Sequence, residues 1–227
     1  MLITIANLFN DDEVAALRSA LEALPWQDGS RTAGSLGRSV KHNRQADEHA
    51  AQAAGIVGSV LQRLEATPRF VAAALPRLIY PPRFNRYGVG ETYGAHVDGA
   101  LMRLPGTGTL FRSDLSATLF LSPPEAYDGG VLEIDTCFGV QEVKLAAGDL
   151  VLYPASSLHQ VTPVTRGERL ASFFWIQSLV RDTDVRTALL DLDDAIQALT
   201  RERAPTDPVL LSLTGVYHNL LRHHAET

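Results

Sequence analysis

The sequence predicts an α+β chain with a mainly β core, a jelly-roll or cupin-like sandwich or barrel, flanked by N-terminal helices and closed by a C-terminal helical appendage. Three observations predict it. Helical periodicity is confined to the two ends of the chain. Between about Arg77 and Arg181, short apolar runs alternate with Gly, Pro and Asp, the punctuation of many short strands. The 227 residues are 45% hydrophobic and 20% charged, with mean hydropathy −0.01, which is enough apolar side chain for one sizeable core.

Taken in order, Leu2 to Ile5 can form a short strand. Asn10 and Asp11 are good caps for a helix running to about Leu24, with Val14, Leu17, Leu21 and Leu24 on one stripe. Residues 29–37 are rich in Gly and Ser and read as a loop. A second helix is expected over 47–65, with Ile56, Val57, Val60, Leu61 and Leu64 on its apolar side and Pro68 as its stop. Strands are expected at 77–80, 83–87, 92–97, 116–122, 131–135, 141–144, 150–153, 159–163 and 169–179. Asp128-Gly129-Gly130 and Ala147-Gly148-Asp149 mark turns between them. The tail turns helical over 183–203, is broken at Pro205 and Pro208, and is helical again over 209–223. This gives three segments: 1–76, a strand and helices packing on the core; 77–181, the core; and 182–227, the appendage.

Composition narrows the partners. The net charge is −6 and the pI about 5.6, so no basic excess is available to neutralise phosphates, and nucleic acid is not expected. No run reaches the ~18 apolar residues of a membrane span, and Met1-Leu2-Ile3-Thr4-Ile5 lacks the basic and long apolar segments of a signal peptide. Cys137 is the single cysteine, so no intramolecular disulfide forms, which fits a reducing, cytoplasmic setting.

The chemistry is carried by Tyr93-Gly94-Ala95-His96-Val97-Asp98. On a strand, positions i and i+2 share a face, so His96 and Asp98 converge while Val97 turns away. His159 follows 61 positions after Asp98. Two imidazoles and one carboxylate form the facial triad of non-haem iron(II) sites, which leaves positions open for a 2-oxo acid and O2. Asp98 is retained, which favours hydroxylation over halogenation. A lone His-x-Asp is a weak signal; Arg169, ten positions after His159, strengthens it. Arg169 opens the apolar run 169–176, and a buried guanidinium needs an anion. The distal carboxylate of 2-oxoglutarate and a structural salt bridge both meet that need.

Other candidates surround these four. Tyr87 and Tyr93 precede the first ligands and could bond a co-substrate carboxylate or orient a ligand; core packing competes, more strongly for Tyr93. Trp175 shares the face of Arg169 by alternation and could wall the co-substrate pocket or fill the barrel. The 99–113 loop, with Met102, Arg103, Arg112 and three glycines, is long enough for a lid. The basic stretch 38–44 contains Arg38, Lys41, His42, Asn43 and Arg44, and either holds a polar substrate or is a solvated loop. Arg44, Met102 and Arg112 are the substrate-side candidates. His218, His223 and His224 are expected to be exposed near the end of the last helix, complementing its dipole. No His-Glu-x-x-His helix is present to support a zinc hydrolase.

Together, Arg86-Tyr87-Gly88, Tyr93-x-x-His96-x-Asp98, His159, Arg169 and Trp175 resemble the prolyl 4-hydroxylase-like branch of the Fe(II)/2-oxoglutarate dioxygenases. More closely, the chain resembles the bacterial PKHD-type hydroxylases. That likeness rests on Arg44-Gln45, residues 93–98, Asp114-Leu115-Ser116-Ala117-Thr118, Tyr127-Asp128-Gly129-Gly130 and Leu152-Tyr153-Pro154 with His159, and it extends from the first helix into the tail. The resemblance implies a double-stranded β-helix core, iron(II) (Fe2+) on His96, Asp98 and His159, and 2-oxoglutarate at Arg169. It also implies L-ascorbate as an auxiliary reductant and a link to iron uptake. It does not imply that the substrate is proline: an unidentified small molecule or peptide is expected. The alternative is a non-catalytic cupin-like metal-binding or sensing protein, which needs the triad but not Arg169. The amphipathic tail could pack on its own barrel or on a second subunit as a homo-oligomer.

Overall fold

The computed structural model describes residues 1–32, 34 and 38–226. The first helix, α1 (Asp11–Glu22), starts on a reciprocal cap in which Asn10 Oδ1 accepts from Glu13 N and Glu13 Oε2 accepts from Asn10 N, each at 2.9 Å. Its stripe Val14, Leu17 and Leu21 is buried. The second helix, α2 (Ala53–Glu65), is shorter than expected because residues 47–52 form turns. α2 ends at Glu65, before Pro68 as expected, with Thr67 extended; Pro68 then opens a further helix, α3 (Pro68–Ala74). At that first position proline's missing N–H would have had no partner anyway. Of the expected loop 29–37, Gly29–Thr32 is a 3-10 turn, and residues 33 and 35–37 lie outside the described residues.

In chain order the strands are β1 (Ile3–Ile5), β2 (Trp26–Asp28), β3 (Lys41–His42), β4 (Arg44–Ala46), β5 (Pro76–Ile79), β6 (Arg83–Tyr87), β7 (Thr92–His96), β8 (Leu101–Arg103) and β9 (Leu110–Arg112). They continue as β10 (Leu115–Phe120), β11 (Tyr127–Gly129), β12 (Leu132–Thr136), β13 (Gly139–Val143), β14 (Leu150–Pro154), β15 (His159–Val161), β16 (Val164–Gly167) and β17 (Arg169–Ser178). The major sheet runs β1-β14-β10-β17-β6-β4-β2, with β5 also on β17; the minor sheet runs β13-β12-β15-β7-β3. All their pairings are antiparallel. The nine expected strands all find a counterpart. The 99–113 segment is not an irregular loop but carries the hairpin β8–β9.

Strand alternation divides the core. Leu115, Ala117, Leu119, Leu150, Leu152, Leu170, Phe174 and Ile176 turn outward against Leu17, Leu21, Val60, Leu64 and Phe70 of the helices. On the inner face, Tyr87, Phe120, Val151 and Tyr153 meet Leu132, Ile134 and Val161 of the minor sheet. The first 76 residues are tied to the core by hydrogen bonds, since β1 pairs with β14 and β4 with β6. The tail helices, α4 (Thr183–Thr200) and α5 (Pro208–His224), are capped by Asp182 and Asp207. They pack on the core through Leu75, Val180 and Leu189, with Val185, Tyr217 and Leu221 alongside.

Candidate metal centre

The minor sheet builds the centre. His159 on β15 stands opposite His96 on β7, and Val161 stands opposite Tyr93. From Tyr93 to His96, β7 therefore takes three steps where β15 takes two, a bulge that puts Tyr93 and His96 on one face. Asp98 follows one residue beyond Val97, which is exposed. One ligand atom from each of His96, Asp98 and His159 lies within 4.8 Å of the others.

The outer contacts aim these atoms. His96 Nδ1 lies 2.8 Å from the Gly94 carbonyl, and His159 Nδ1 lies 3.0 Å from that of Ser157. With Nδ1–H donating to those carbonyls, Nε2 of each ring carries the free lone pair. Burial, reinforced by His159, pushes His96 down to about 4, so its imidazole is neutral at physiological pH. Ser116 Oγ donates to Asp98 Oδ2 at 2.6 Å and fixes that carboxylate. Two imidazoles aimed through Nε2 and one oriented carboxylate suit iron(II), and the donor set fits.

A cavity of about 750 Å³ opens on the triad. Arg169, 1% exposed, lies in its wall, its guanidinium 5.4 Å from the Tyr87 ring centroid and 5.2 Å from that of Phe120. Its Nε has no partner, and among the described residues no carboxylate pairs with it. Among the described residues the structural salt bridge expected as an alternative does not form, whereas a ligand carboxylate would meet the need. Close approach is built in: a Cβ on Gly130 would sit 3.1 Å from Arg169 Cδ, and the Gly130 φ of 59° suits glycine.

The remaining candidates divide. Tyr87 is fully buried beside Arg169, its register partner on β17, and burial pushes its phenol up to about 12. Trp175 and Met102 line the cavity. Tyr93 packs against the inner-face core, and its ring also stacks on His96 with centroids 3.6 Å apart. Arg44 and Arg112 do not line the cavity. Arg44 pairs with Glu168 at 3.0 Å and Glu91 at 3.6 Å; Arg112 holds Asp114 at 2.7 Å and Glu226 at 2.6 Å, fastening the tail. His218 and His223 are exposed on the last helix, while His224 is half-buried.

Sequence reasoning missed Ser116, the particular place of Lys41 within the basic stretch, and Asn85, which lines the cavity and donates through Nδ2 to the Tyr87 hydroxyl at 3.3 Å. A usable signal existed for Ser116. With Thr118 it forms a polar i, i+2 pair in an otherwise apolar strand, and both line the cavity.

Comparisons agree with this geometry. Residues 82–177 match the 2OG-Fe(II) oxygenase superfamily, and 184–226 match the PKHD-type hydroxylase C-terminal domain. A PKHD-type hydroxylase of Acidovorax ebreus is 60% identical over 99% of both chains, and one of Teredinibacter turnerae is 54% identical over 100% of both. Among solved structures, a Pseudomonas putida prolyl-4-hydroxylase gives a TM-score of 0.53 at 22% identity, covering 78% of this chain and 92% of that one. A viral collagen prolyl hydroxylase from Paramecium Bursaria Chlorella virus-1 gives 0.54 at 16%, covering 78% and 96%; at these identities the likeness speaks to the fold alone. With family and fold in agreement around the His-Asp-His triad, the chain belongs to the PKHD-type hydroxylases, Fe(II)- and 2-oxoglutarate-dependent dioxygenases built on the double-stranded β-helix.

Proposed function

We propose that this hydroxylase acts on a C–H bond of a small-molecule or peptide substrate, with iron(II) on His96, Asp98 and His159 and the distal carboxylate of 2-oxoglutarate on Arg169. One observation carries the assignment of Arg169: a fully buried guanidinium with no counter-carboxylate stands in the wall of the cavity that holds the triad. The non-catalytic cupin-like alternative has no use for such a group.

When bound, iron(II) and 2-oxoglutarate supply the O2 chemistry, by which one oxygen atom enters the substrate as hydroxyl and the other enters succinate as CO2 leaves. The chain's own work is positional. Gly94 and Ser157 carbonyls hold the two imidazoles in one tautomer. Ser116 keeps the Asp98 carboxylate from rotating. Arg169 can grip a carboxylate with two parallel N–H donors. The Tyr87 and Tyr153 rings give the cavity apolar walls beside Arg169. No side chain is required as a general base.

L-Ascorbate as auxiliary reductant belongs to this proposal, as does a cytoplasmic setting; the first is supported by family resemblance and the second by the free, exposed Cys137. No helix of the described residues is long and apolar enough to cross a membrane. The test is conversion of 2-oxoglutarate to succinate with added iron(II), with and without ascorbate. No succinate, together with no charge-transfer band on adding 2-oxoglutarate to the anaerobic iron(II) protein, would rule out the site assignment. Ascorbate failing to prolong turnover would remove that part alone.

A further inference from the structure

Among the described residues lining the cavity, four side chains carry formal charge: Lys41, Arg83, Asp98 and Arg169. Asp98 serves the metal and Arg169 the co-substrate. Arg83 is matched by Glu48 at 3.0 Å. Lys41 is left over. It is 4% exposed, more deeply buried than lysine ordinarily is. Its Nζ donates to Thr32 Oγ1 at 3.0 Å and to Gln45 Oε1 at 3.3 Å, both neutral oxygens. Asp98 and Asp28 act on it only through space, and no carboxylate lies within ion-pair distance among the described residues. An ammonium has three donors, so one remains.

The surroundings indicate where that donor is useful. Register places Lys41 opposite Tyr93 across β3 and β7. Its Nζ lies 5.3 Å from the Tyr93 ring centroid and 5.5 Å from that of Phe173. Tyr93 in turn stacks on the metal ligand His96, and Phe173 meets the edge of Trp175 at 5.6 Å. Lys41 is thus a buried cation between aromatic walls, one ring away from the metal centre and on a different element from Arg169. A buried cation without a counter-ion is costly, and an arriving anion offsets that cost. Burial, with Arg83 adding to it, pushes Lys41 down to about 8, the mark of an ammonium short of negative charge.

We propose that Lys41 anchors a carboxylate of the hydroxylated substrate, so that the enzyme acts on acids, free or peptide-borne, that present an apolar body to Phe173 and Trp175. The proposal rests on the assignment of Arg169 to 2-oxoglutarate, which leaves Lys41 without a ligand of its own. A substrate held this way would keep its charge on the far side of Tyr93 from His96, with its carbon chain extending past Tyr93 toward the triad.

The test uses the full chain loaded with zinc, which is redox-silent, and with 2-oxoglutarate. Two matched pairs of probes are titrated by calorimetry: 3-phenylpropanoate against neutral 3-phenylpropanamide, and N-acetyl-Gly-Phe with a free against an amidated C-terminus. In the unmodified chain at least one acid should bind about ten-fold tighter than its amide, the scale of one charge-assisted contact. A preference in the first pair alone identifies a free acid, and in the second alone a peptide carboxylate; either upholds the proposal. Lys41→Met should abolish the preference, and Lys41→Arg should keep most of it. Equal affinity of acid and amide, or no binding of either acid at millimolar concentration, overturns the proposal without recourse to any variant. It is also overturned if Lys41→Met weakens 2-oxoglutarate as much as it weakens the acid probe, since Lys41 would then belong to the co-substrate. Arg169→Ala titrated with 2-oxoglutarate alone tests the underlying assignment separately.

Discussion

Arg169 and Arg186 are buried to the same degree, each 1% exposed, and they are the two largest fully buried side chains of the molecule. Their surroundings differ in kind. Arg186, in the first turn of α4, donates to the carbonyls of Val180 at 2.6 Å and Arg181 at 2.8 Å, and to Thr183 Oγ1 at 3.0 Å. It closes the chain between the last strand of the core and the tail. Arg169 faces ring π-systems and a cavity, with no comparable set of acceptors around it. Both leave Nε without a partner, so neither burial nor one orphaned donor marks a ligand site; what sets Arg169 apart is its place in the cavity wall, where Arg186 spends its other two nitrogens on protein oxygens.

Breaking each arginine should separate the two roles. The largest effect is expected for Arg169→Ala: kcat/KM for 2-oxoglutarate should fall about 100-fold or more, roughly 3 kcal/mol, while the thermal midpoint holds or rises, since an unpaired buried charge has gone. Steady-state succinate assays beside thermal melts read both, and unchanged kinetics would make Arg169 a second Arg186. The converse is Arg186→Ala, which strands buried carbonyls and should cost about 2–3 kcal/mol of stability in urea unfolding, with 2-oxoglutarate affinity within about two-fold of the original. A loss of co-substrate affinity there would erase the distinction.

A smaller effect sharpens the metal side. Ser116→Ala leaves all three ligands in place but frees Asp98 to rotate, and should weaken metal binding by about 10–100-fold in chelator competition. Unaltered affinity would show that the 2.6 Å contact does not position the carboxylate. Smallest is Arg112→Ala. It should raise amide exchange in the last helix, by releasing Glu226, and leave 2-oxoglutarate binding as it was; weakened binding would return Arg112 to the candidate site.

What the sequence discloses follows the range of the forces involved. β14 and β17 are legible because their residues are almost all buried, and such runs stand out against the Gly and Asp between them. β2 and β4, Trp-Gln-Asp and Arg-Gln-Ala, have three residues each and little apolar signature; they are strands only because β6 offers β4 an edge and β4 then offers one to β2. The triad is legible because two of its members lie two residues apart. That Tyr93 stacks on His96 is hidden because strict alternation has no place for the bulge between His159 and Val161. Arg44 and Arg112 look available in sequence because Glu168 and Glu226 lie 124 and 114 positions away. Lys41 is concealed for the opposite reason: in a run of cations nothing local distinguishes the one that turns inward.

The pairing of β7 with β15 also governs how the enzyme comes into being. On the ribosome, His96 and Asp98 emerge well before His159, and Arg169 later still. β17, to which β5, β6 and β10 all pair, is made after every one of its partners. Until it arrives those strands have no common neighbour, and long-range closure of this kind is slow. All three metal ligands are thus made before the strand that completes the major sheet. A chain cut short before Arg169 is therefore expected to keep all three metal ligands but to lack β17, which joins the two halves of the major sheet, and with it the arginine of the cavity wall.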